Sequence, residues 1–299
     1  MLDIILYYVI TAGLYTFGKQ LVLSGSPFFL SAVHLIPAGL VFLGWSYGTS
    51  SKKERVIKSG TLSLFVAAIL LTYLNDTTCF IGLENIPASC AALIGGLAPF
   101  IAALLAYFFF NEKFTSTKVF ALCLGFCGVL PLLVWNIIQT GAEGSALQFL
   151  TGYASMFANI TSTVVIAFVF KKLFARNYSI PTVLGVPFVF GGMLSLITSV
   201  FVENWQSVPL FEDIQLATCL TFFAFSAHNV VAPLLYGYLL KKYPVTLLMF
   251  ASLVNPITSA ILEFVFYGRT TSYTFIFSLA TLMVAFCLFS REERKEGLV

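Results

Sequence analysis

The segment ENIPASCAALIGGLAPFIAALLAYFFFNEKFT (residues 84–115) aligns without gaps with KKYPVTLLMFASLVNPITSAILEFVFYGRTTS (residues 241–272), at an offset of 157 (241 − 84). Two prolines keep a spacing of 12 residues in both copies (99 − 87 and 256 − 244). The identical positions are Pro87 and Pro244, Pro99 and Pro256, Ala103 and Ala260, Leu105 and Leu262, and Phe109 and Phe266. This pattern predicts a chain composed of two related halves.

The composition of the chain predicts an integral membrane protein. Of 299 residues, 59% are hydrophobic and only 10% are charged, whereas soluble domains carry about 25% charged residues. A transmembrane helix requires roughly 20 apolar residues. Windows of this kind occur at 3–23, 27–47, 61–83, 88–110, 117–138, 149–172, 181–202, 214–240, 244–266 and 272–290. We therefore expect an all-α, multi-pass protein of ten transmembrane helices.

The distribution of basic residues predicts that both termini are cytoplasmic. If the N-terminus lies inside, every basic residue except Lys19 and Arg269 falls on the inner side, that is 14 of 16 (16 − 2). This asymmetry satisfies the positive-inside rule. Each half holds five spans, an odd number, so the second half (144–299) is inverted relative to the first (1–143). The net charge of +3 is thus topological and indicates no nucleic-acid partner.

The repeated segment also resembles the signature of the drug/metabolite transporter superfamily, in its EamA-like branch. In the second copy Gly268 is kept, but Arg269 replaces the acidic residue of the pattern. The resemblance implies a ten-helix secondary transporter of the bacterial inner membrane, with an amino acid as the commonest cargo of the family. The matching residues are Leu83, Ala88, Ser89, Pro99 and Glu112, followed by Gly125, Gly128 and Val129.

Helix-breaking residues near the membrane centre predict an interior site. Transporters with inverted repeats bind substrate near the midplane, at the interface of the repeats. Pro99 follows Gly95 and Gly96, and Pro256 follows Asn255. A proline within a helix removes a backbone hydrogen bond, and membranes tolerate irregular backbone only against protein or a water-filled cavity. These four glycine and proline positions are candidates for a gating hinge, and a static kink is the alternative.

A carboxylate in the stretch YLNDTTCF (residues 73–80) is the leading candidate for substrate binding. An ionisable residue inside a membrane span is by default a functional-site hypothesis. Asp76 lies slightly outside the predicted midplane of the third span. It either forms a fixed ion pair with Lys19 or faces the cavity, where it binds a cationic group or carries a proton. Lys19 is also close enough to the surface to reach the headgroups.

Other polar and aromatic residues sit at similar depth and complete the predicted site. Amide side chains there either join helices by hydrogen bonds or line the site, and both alternatives stay open. We expect His34 and His228 to be core residues and Glu263 to reach the interface. The further candidates for substrate binding are Thr72, Asn75, Tyr15, Tyr73, Asn159, Asn229 and Asn255.

The predicted activity is alternating-access transport of a small polar metabolite that carries an amino or cationic group. A free amino acid ranks first. S-adenosylmethionine ranks second, because it would use both the carboxylate and an aromatic wall. The sequence contains no paired acids, metal-ligand motif or nucleophile–base set, so we expect no enzyme, no catalytic residue, no metal and no cofactor. The partners are the small-molecule cargo and membrane lipid; a proton, a counter-substrate and a homodimer are open. A non-transporting sensor or assembly subunit is the alternative of another class.

Overall fold

The protein is helical throughout the part of the chain that the computed structural model describes, residues 2–22, 25–49, 59–110, 115–140, 146–205, 216–243, 245–268 and 272–295. A single 3-10 turn, Ser59–Thr61, precedes the third helix. In chain order the helices are α1 (Leu2–Val22), α2 (Pro27–Thr49), α3 (Leu62–Asn85), α4 (Ala88–Gly95), α5 (Ala98–Phe110), α6 (Ser116–Thr140), α7 (Ala146–Ala175), α8 (Ile180–Val202), α9 (Leu216–Lys242), α10 (Val245–Ala251), α11 (Val254–Tyr267) and α12 (Tyr273–Lys295).

Within the described residues, five segments are long and apolar enough to cross a membrane. They are Pro27–Gly48, Leu62–Asn85, Ala88–Leu105, Leu147–Ala175 and Ile180–Val202. Shorter apolar helices cover Ser116–Gly128, Val254–Phe266 and Tyr273–Phe289. The predicted all-α membrane class is therefore confirmed at this level, and the count of ten spans stays a prediction. The expected boundary between the halves, at 143/144, lies outside the described residues.

Two of the predicted spans are each interrupted by a turn just before a proline. The first break, at Gly96 and Leu97, separates α4 from α5, and the second, at Ser252 and Leu253, separates α10 from α11. The offset between the two breaks is 156 (252 − 96), which lies within one residue of the offset of 157 between the aligned segments. Pro99 and Pro256 have no amide hydrogen to donate to the carbonyl four residues earlier, so the chain tightens into i→i+3 bonds. These bonds run from Leu97 N to the Ile94 carbonyl and from Asn255 N to the Ser252 carbonyl, both 2.9 Å.

Glycines allow the long helices to approach one another closely. Helix α2 packs along α8, where a Cβ atom on Gly39 would lie only 2.6 Å from the backbone nitrogen of Val189. Helix α6 packs along α12, where a Cβ on Gly128 would lie 2.8 Å from Thr281 Cγ2. Small residues at such contacts are typical of helix packing in membranes. A central space is bounded by α1, α3, α7, α9 and the two breaks.

Candidate functional site

A cavity of about 210 Å³ lies where α1, α3, α7 and α9 meet the two helix breaks. None of the described residues that line it is a lysine or an arginine, and Asp76 is its carboxylate. The cavity therefore suits a neutral or positively charged ligand. Its polar lining residues are Thr11, Thr72, Asn75, Asp76, Cys79, Asn159, Thr163, Asn229, Ser252 and Asn255, and its aromatic ones are Tyr7, Tyr8, Tyr15, Phe170, Phe188 and Tyr236.

Asp76 pairs with a histidine of α2. The distance between Asp76 Oδ1 and His34 Nε2 is 3.2 Å, and His34 Nδ1 donates to the Leu30 carbonyl at 2.6 Å. His34 is buried, whereas 19% of the Asp76 side chain is exposed. His34 is buried, as expected of a core residue, but its contact with the carboxylate was not predicted from the sequence. The similar depth of the two residues in their spans was the signal that could have linked them.

Three polar atoms at the cavity have no hydrogen-bond partner in the described part of the chain. They are Asp76 Oδ2, Thr72 Oγ1 and the Tyr236 hydroxyl, and all three residues line the cavity. Buried polar atoms in native proteins are nearly always bonded, so each exception needs an explanation. A ligand in the cavity would satisfy all three.

Among the described residues, Lys19 and Tyr73 do not line the cavity, although both were predicted to bind substrate. Lys19 Nζ donates to the backbone carbonyls of Leu83 and Glu84, the latter at 3.0 Å. The ion-pair partner of Asp76 is thus His34 and not Lys19. The Tyr73 hydroxyl is 3.0 Å from Thr198 Oγ1. Both side chains fasten α3 to a neighbouring helix, because each reaches a polar atom there.

The amides of Asn75 and Asn159 join α3 to α7 at the wall of the cavity. Asn75 Nδ2 donates to the Asn159 carbonyl at 2.9 Å and to Thr163 Oγ1 at 2.6 Å. In return Asn159 Nδ2 donates to the Asn75 carbonyl at 2.7 Å. The sequence left open whether these amides join helices or line the site. Asn75 and Asn159 join two helices by hydrogen bonds, and both residues also line the cavity.

The remaining predicted residues divide between the cavity wall and the structure behind it. Asn229 and Asn255 line the cavity, and Asn255 Oδ1 accepts a hydrogen bond from Thr11 at 3.2 Å. Gly95 and Tyr15 line it together, and a Cβ on Gly95 would lie 2.9 Å from the Tyr15 hydroxyl. The hydroxyl of Ser252 lies 3.5 Å from the Gly95 carbonyl, so the two breaks touch.

The other hinge candidates lie behind the wall. Gly96 packs against α12, where an added Cβ would lie 2.6 Å from Leu282 Cδ2. Pro99 and Pro256 are buried and lie outside the described lining of the cavity. Their role as hinges stays a prediction.

Glu263 is buried and does not reach the interface as expected. Only 4% of the residue is exposed, and its Oε2 accepts a hydrogen bond from the Ser89 amide at 3.1 Å. Ser89 lies in the first turn of α4, where free amides favour a carboxylate. Glu263 therefore ties α11 to the start of α4, a contact that depth along a single helix does not reveal.

Stacked tyrosines form part of the cavity wall. The rings of Tyr7 and Tyr236 stack at 5.1 Å with an interplanar angle of 17°. Tyr8 contacts Tyr7 edge to face at 4.8 Å, and its hydroxyl donates to the Leu248 carbonyl at 2.5 Å. The cavity thus offers a carboxylate and a separate aromatic surface, which together suit a cargo with a cationic part and a planar part.

The sequence of the chain matches a known transporter family over most of its length. Residues 1–134 and 150–291 match the EamA-like transporter family. The chain belongs to the EamA-like transporter family. This membership points to a transporter and not to an enzyme.

Several relatives span nearly the whole chain. S-adenosylmethionine/S-adenosylhomocysteine transporters of Chlamydia trachomatis and Chlamydia muridarum are 24% identical over 95% of this chain, covering 87% and 89% of their own lengths. A chloroplastic WAT1-related protein of Arabidopsis thaliana is 28% identical over 90% of this chain and 64% of its own length. A solved crystal structure with 19% identity superposes with a TM-score of 0.70, covering 98% of this chain and 96% of the other, and so shares the fold.

Proposed function

We propose that this protein is a secondary transporter of S-adenosylmethionine and S-adenosylhomocysteine. The observation that carries the proposal is the unpartnered Oδ2 of Asp76, in a cavity whose described lining contains no lysine or arginine. S-adenosylmethionine carries one net positive charge, because its sulfonium and α-amino groups are cationic and its single carboxylate is anionic. A cavity with a lone carboxylate complements that charge. The relatives named above support the same cargo.

The cationic and planar parts of such a cargo match the carboxylate and the tyrosine rings that line the cavity. The sulfonium or amino group would lie against Asp76, and the adenine would lie against the rings of Tyr7 and Tyr236. Thr72, Asn229 and the free hydroxyl of Tyr236 would bond the polar groups of the ribose and the amino acid. A free amino acid, ranked first from the sequence, finds no support in the comparisons, and it has no planar part for the tyrosines.

Alternating access is the proposed mechanism, in a bacterial inner membrane with both termini cytoplasmic. The proposed inverted halves, 1–143 and 144–299, are supported by the two helix breaks, whose offset of 156 (252 − 96) is within one residue of that of the aligned segments. Lysine contacts at opposite ends of the bundle are the two proposed gates. At one end Lys19 bonds the end of α3, and at the other Lys171 Nζ donates to the Tyr243 carbonyl, after α9, at 2.7 Å. Bending at Gly95, Gly96, Pro99 and Pro256 would open one gate at a time.

Flux in liposomes tests the proposal. Purified protein in proteoliposomes should take up labelled S-adenosylmethionine and exchange it for internal S-adenosylhomocysteine, and excess methionine should not compete. Asp76→Asn should reduce uptake at least about tenfold, because a hydrogen bond to a charged group contributes about 1.5–3 kcal/mol.

Glu203→Gln is the matched control. Glu203 accepts hydrogen bonds from the Phe28 and Phe29 amides, away from the cavity, so this variant should transport normally. Binding without flux would identify a sensor. Neither binding nor flux with either compound would refute the proposed cargo.

A further inference from the structure

The hydrogen bonds of His34 fix where its protons are. A backbone carbonyl can only accept, so His34 Nδ1, 2.6 Å from the Leu30 carbonyl, must carry a hydrogen. If the ring is neutral, Nε2 then holds a lone pair. A lone pair cannot bond the ionised Oδ1 of Asp76, which lies 3.2 Å away. The contact therefore requires one further proton between Nε2 and Oδ1, on either atom.

From this geometry we infer that His34 and Asp76 form a proton-binding site, and that a cationic cargo displaces its proton. The inference rests on the proposed function. With the proton, the pair is neutral, as a histidinium–carboxylate pair or as neutral histidine with protonated Asp76. A cation at the free Oδ2 stabilises the ionised carboxylate, so the proton leaves as the cation binds. The balance is: protonated pair plus cargo cation gives cargo-bound carboxylate plus one released proton.

The charge balance of the site implies that the protein exchanges a proton for the cationic cargo. Proton-loaded, the pair has no net charge, and loaded with a monovalent cation the site is neutral again. The empty, deprotonated pair carries a net negative charge inside the membrane, which is costly to carry through a conformational change. The site therefore reorients with either a proton or a cation bound. S-adenosylmethionine should release the proton, whereas S-adenosylhomocysteine, which lacks the sulfonium charge, should not.

Among the described residues, other titratable groups near the pair are tyrosines and cysteines, which are ordinarily neutral at pH 7. Cys79 lies one turn along α3, and Tyr15 of α1, together with Tyr7, Tyr8 and Tyr236, lines the same cavity. Helix α4 carries Cys90 and helix α7 carries Tyr153. The charged residues Lys19, Glu84 and Glu203 lie at helix ends, where Lys19 donates to the Glu84 carbonyl and Glu203 accepts from the Phe28 amide. The side chain of His228, on α9, lies outside the described residues.

Calorimetry counts the proton directly. Purified full-length protein is titrated with each compound at neutral pH, in buffers of different ionisation enthalpy, and the slope of observed against buffer enthalpy gives the protons released. We expect about one proton per S-adenosylmethionine bound and none for S-adenosylhomocysteine. In His34→Gln, an amide can still donate to Asp76 but holds no titratable proton, so release should be lost while binding is kept. Glu203→Gln should release protons as the wild type does.

The outcomes separate this inference from the proposed function. Binding of S-adenosylmethionine without proton release, or release that survives His34→Gln, would overturn the proton site and leave the cargo assignment standing. If neither compound binds, the proposed function fails. The proton site can then be tested without cargo by nitrogen-15 NMR of histidine-labelled protein. The variant His228→Gln is used, because His34 is then the remaining histidine. A bare Nε2, neither protonated nor hydrogen-bonded at neutral pH, would refute it; a protonated or proton-sharing Nε2 supports it.

Discussion

Replacing Lys19 by methionine should increase the open population at one end of the cavity and leave the other end unchanged. Lys19 Nζ donates to two backbone carbonyls at the end of α3, those of Leu83 and Glu84. Hydrogen bonds from charged groups contribute about 1.5–3 kcal/mol, and the half-exposed position of Lys19 favours the lower value. Because 1.4 kcal/mol is a factor of ten in an equilibrium constant, we expect Lys19→Met to raise the open population at this end about tenfold.

The assay uses a thiol that already faces the cavity. Cys79 lines the cavity and is buried, with 7% exposure and no disulfide. In a variant that keeps Cys79 and replaces the other five cysteines, a membrane-impermeant thiol reagent is applied to either face of sealed vesicles. Lys19→Met should accelerate labelling about tenfold from the face at the Lys19 end, and S-adenosylmethionine should protect the thiol.

Two further lysine variants show whether each contact closes one end of the cavity only. Lys171→Met removes the corresponding bond to the Tyr243 carbonyl and should accelerate labelling from the opposite face. Lys172 is exposed on the next position of α7, and Lys172→Met should change labelling from neither face. Equal acceleration from both faces by Lys19→Met, or none, would refute the assignment of these lysines to separate gates.

Three more predictions concern packing, binding and coupling. Gly39→Val should lower the free energy of unfolding by about 1–3 kcal/mol, seen as a lower thermal midpoint, because its Cβ meets the Val189 backbone at 2.6 Å; Gly44→Val, with nothing within 4 Å, should not. Tyr236→Phe should weaken cargo binding by about 0.5–1.5 kcal/mol, or two- to tenfold, with unchanged thermal stability, because its hydroxyl has no partner in the described protein. An acidic vesicle interior should speed S-adenosylmethionine uptake by the wild type but not by His34→Gln; equal rates in both proteins would contradict proton exchange.

The positions of the helices followed from composition because a membrane span needs little more than length and hydrophobicity. The predicted window 181–202, for example, is helix α8, Ile180–Val202. Pro99 and Pro256 predicted the two helix breaks, because a missing amide hydrogen is a local property of the chain. The residues at which the helices break depended on the i→i+3 hydrogen bonds that form there.

The partner of Asp76 did not follow from the sequence, because depth along a helix fixes only one of three coordinates. His34 and Asp76 were placed at nearly the same depth, yet the alternatives considered for Asp76 were an ion pair with Lys19 and contact with the cargo. Which side of α2 faces α3 depends on how the helices pack, with Gly39 and Gly192 drawing α2 against α8. The burial of Glu263 was missed for the same reason, since its partner is a backbone amide on another helix.

The two lysines also bear on the proposed inverted repeat, beyond the aligned segments. Lys19 lies near the end of α1 and donates to carbonyls at the end of α3; Lys171 lies near the end of α7 and donates to the carbonyl after α9. Asp3 accepts a hydrogen bond from the Tyr243 hydroxyl at 3.3 Å, so the start of α1 lies at the Lys171 contact. Lys19 is 16 residues further along α1 (19 − 3), or about 24 Å, and so marks the opposite end. The same contact, first helix to third, therefore recurs at opposite ends, as two inverted halves require. Its offset of 152 (171 − 19) differs from the 157 of the proline segments, so an ungapped alignment misses it.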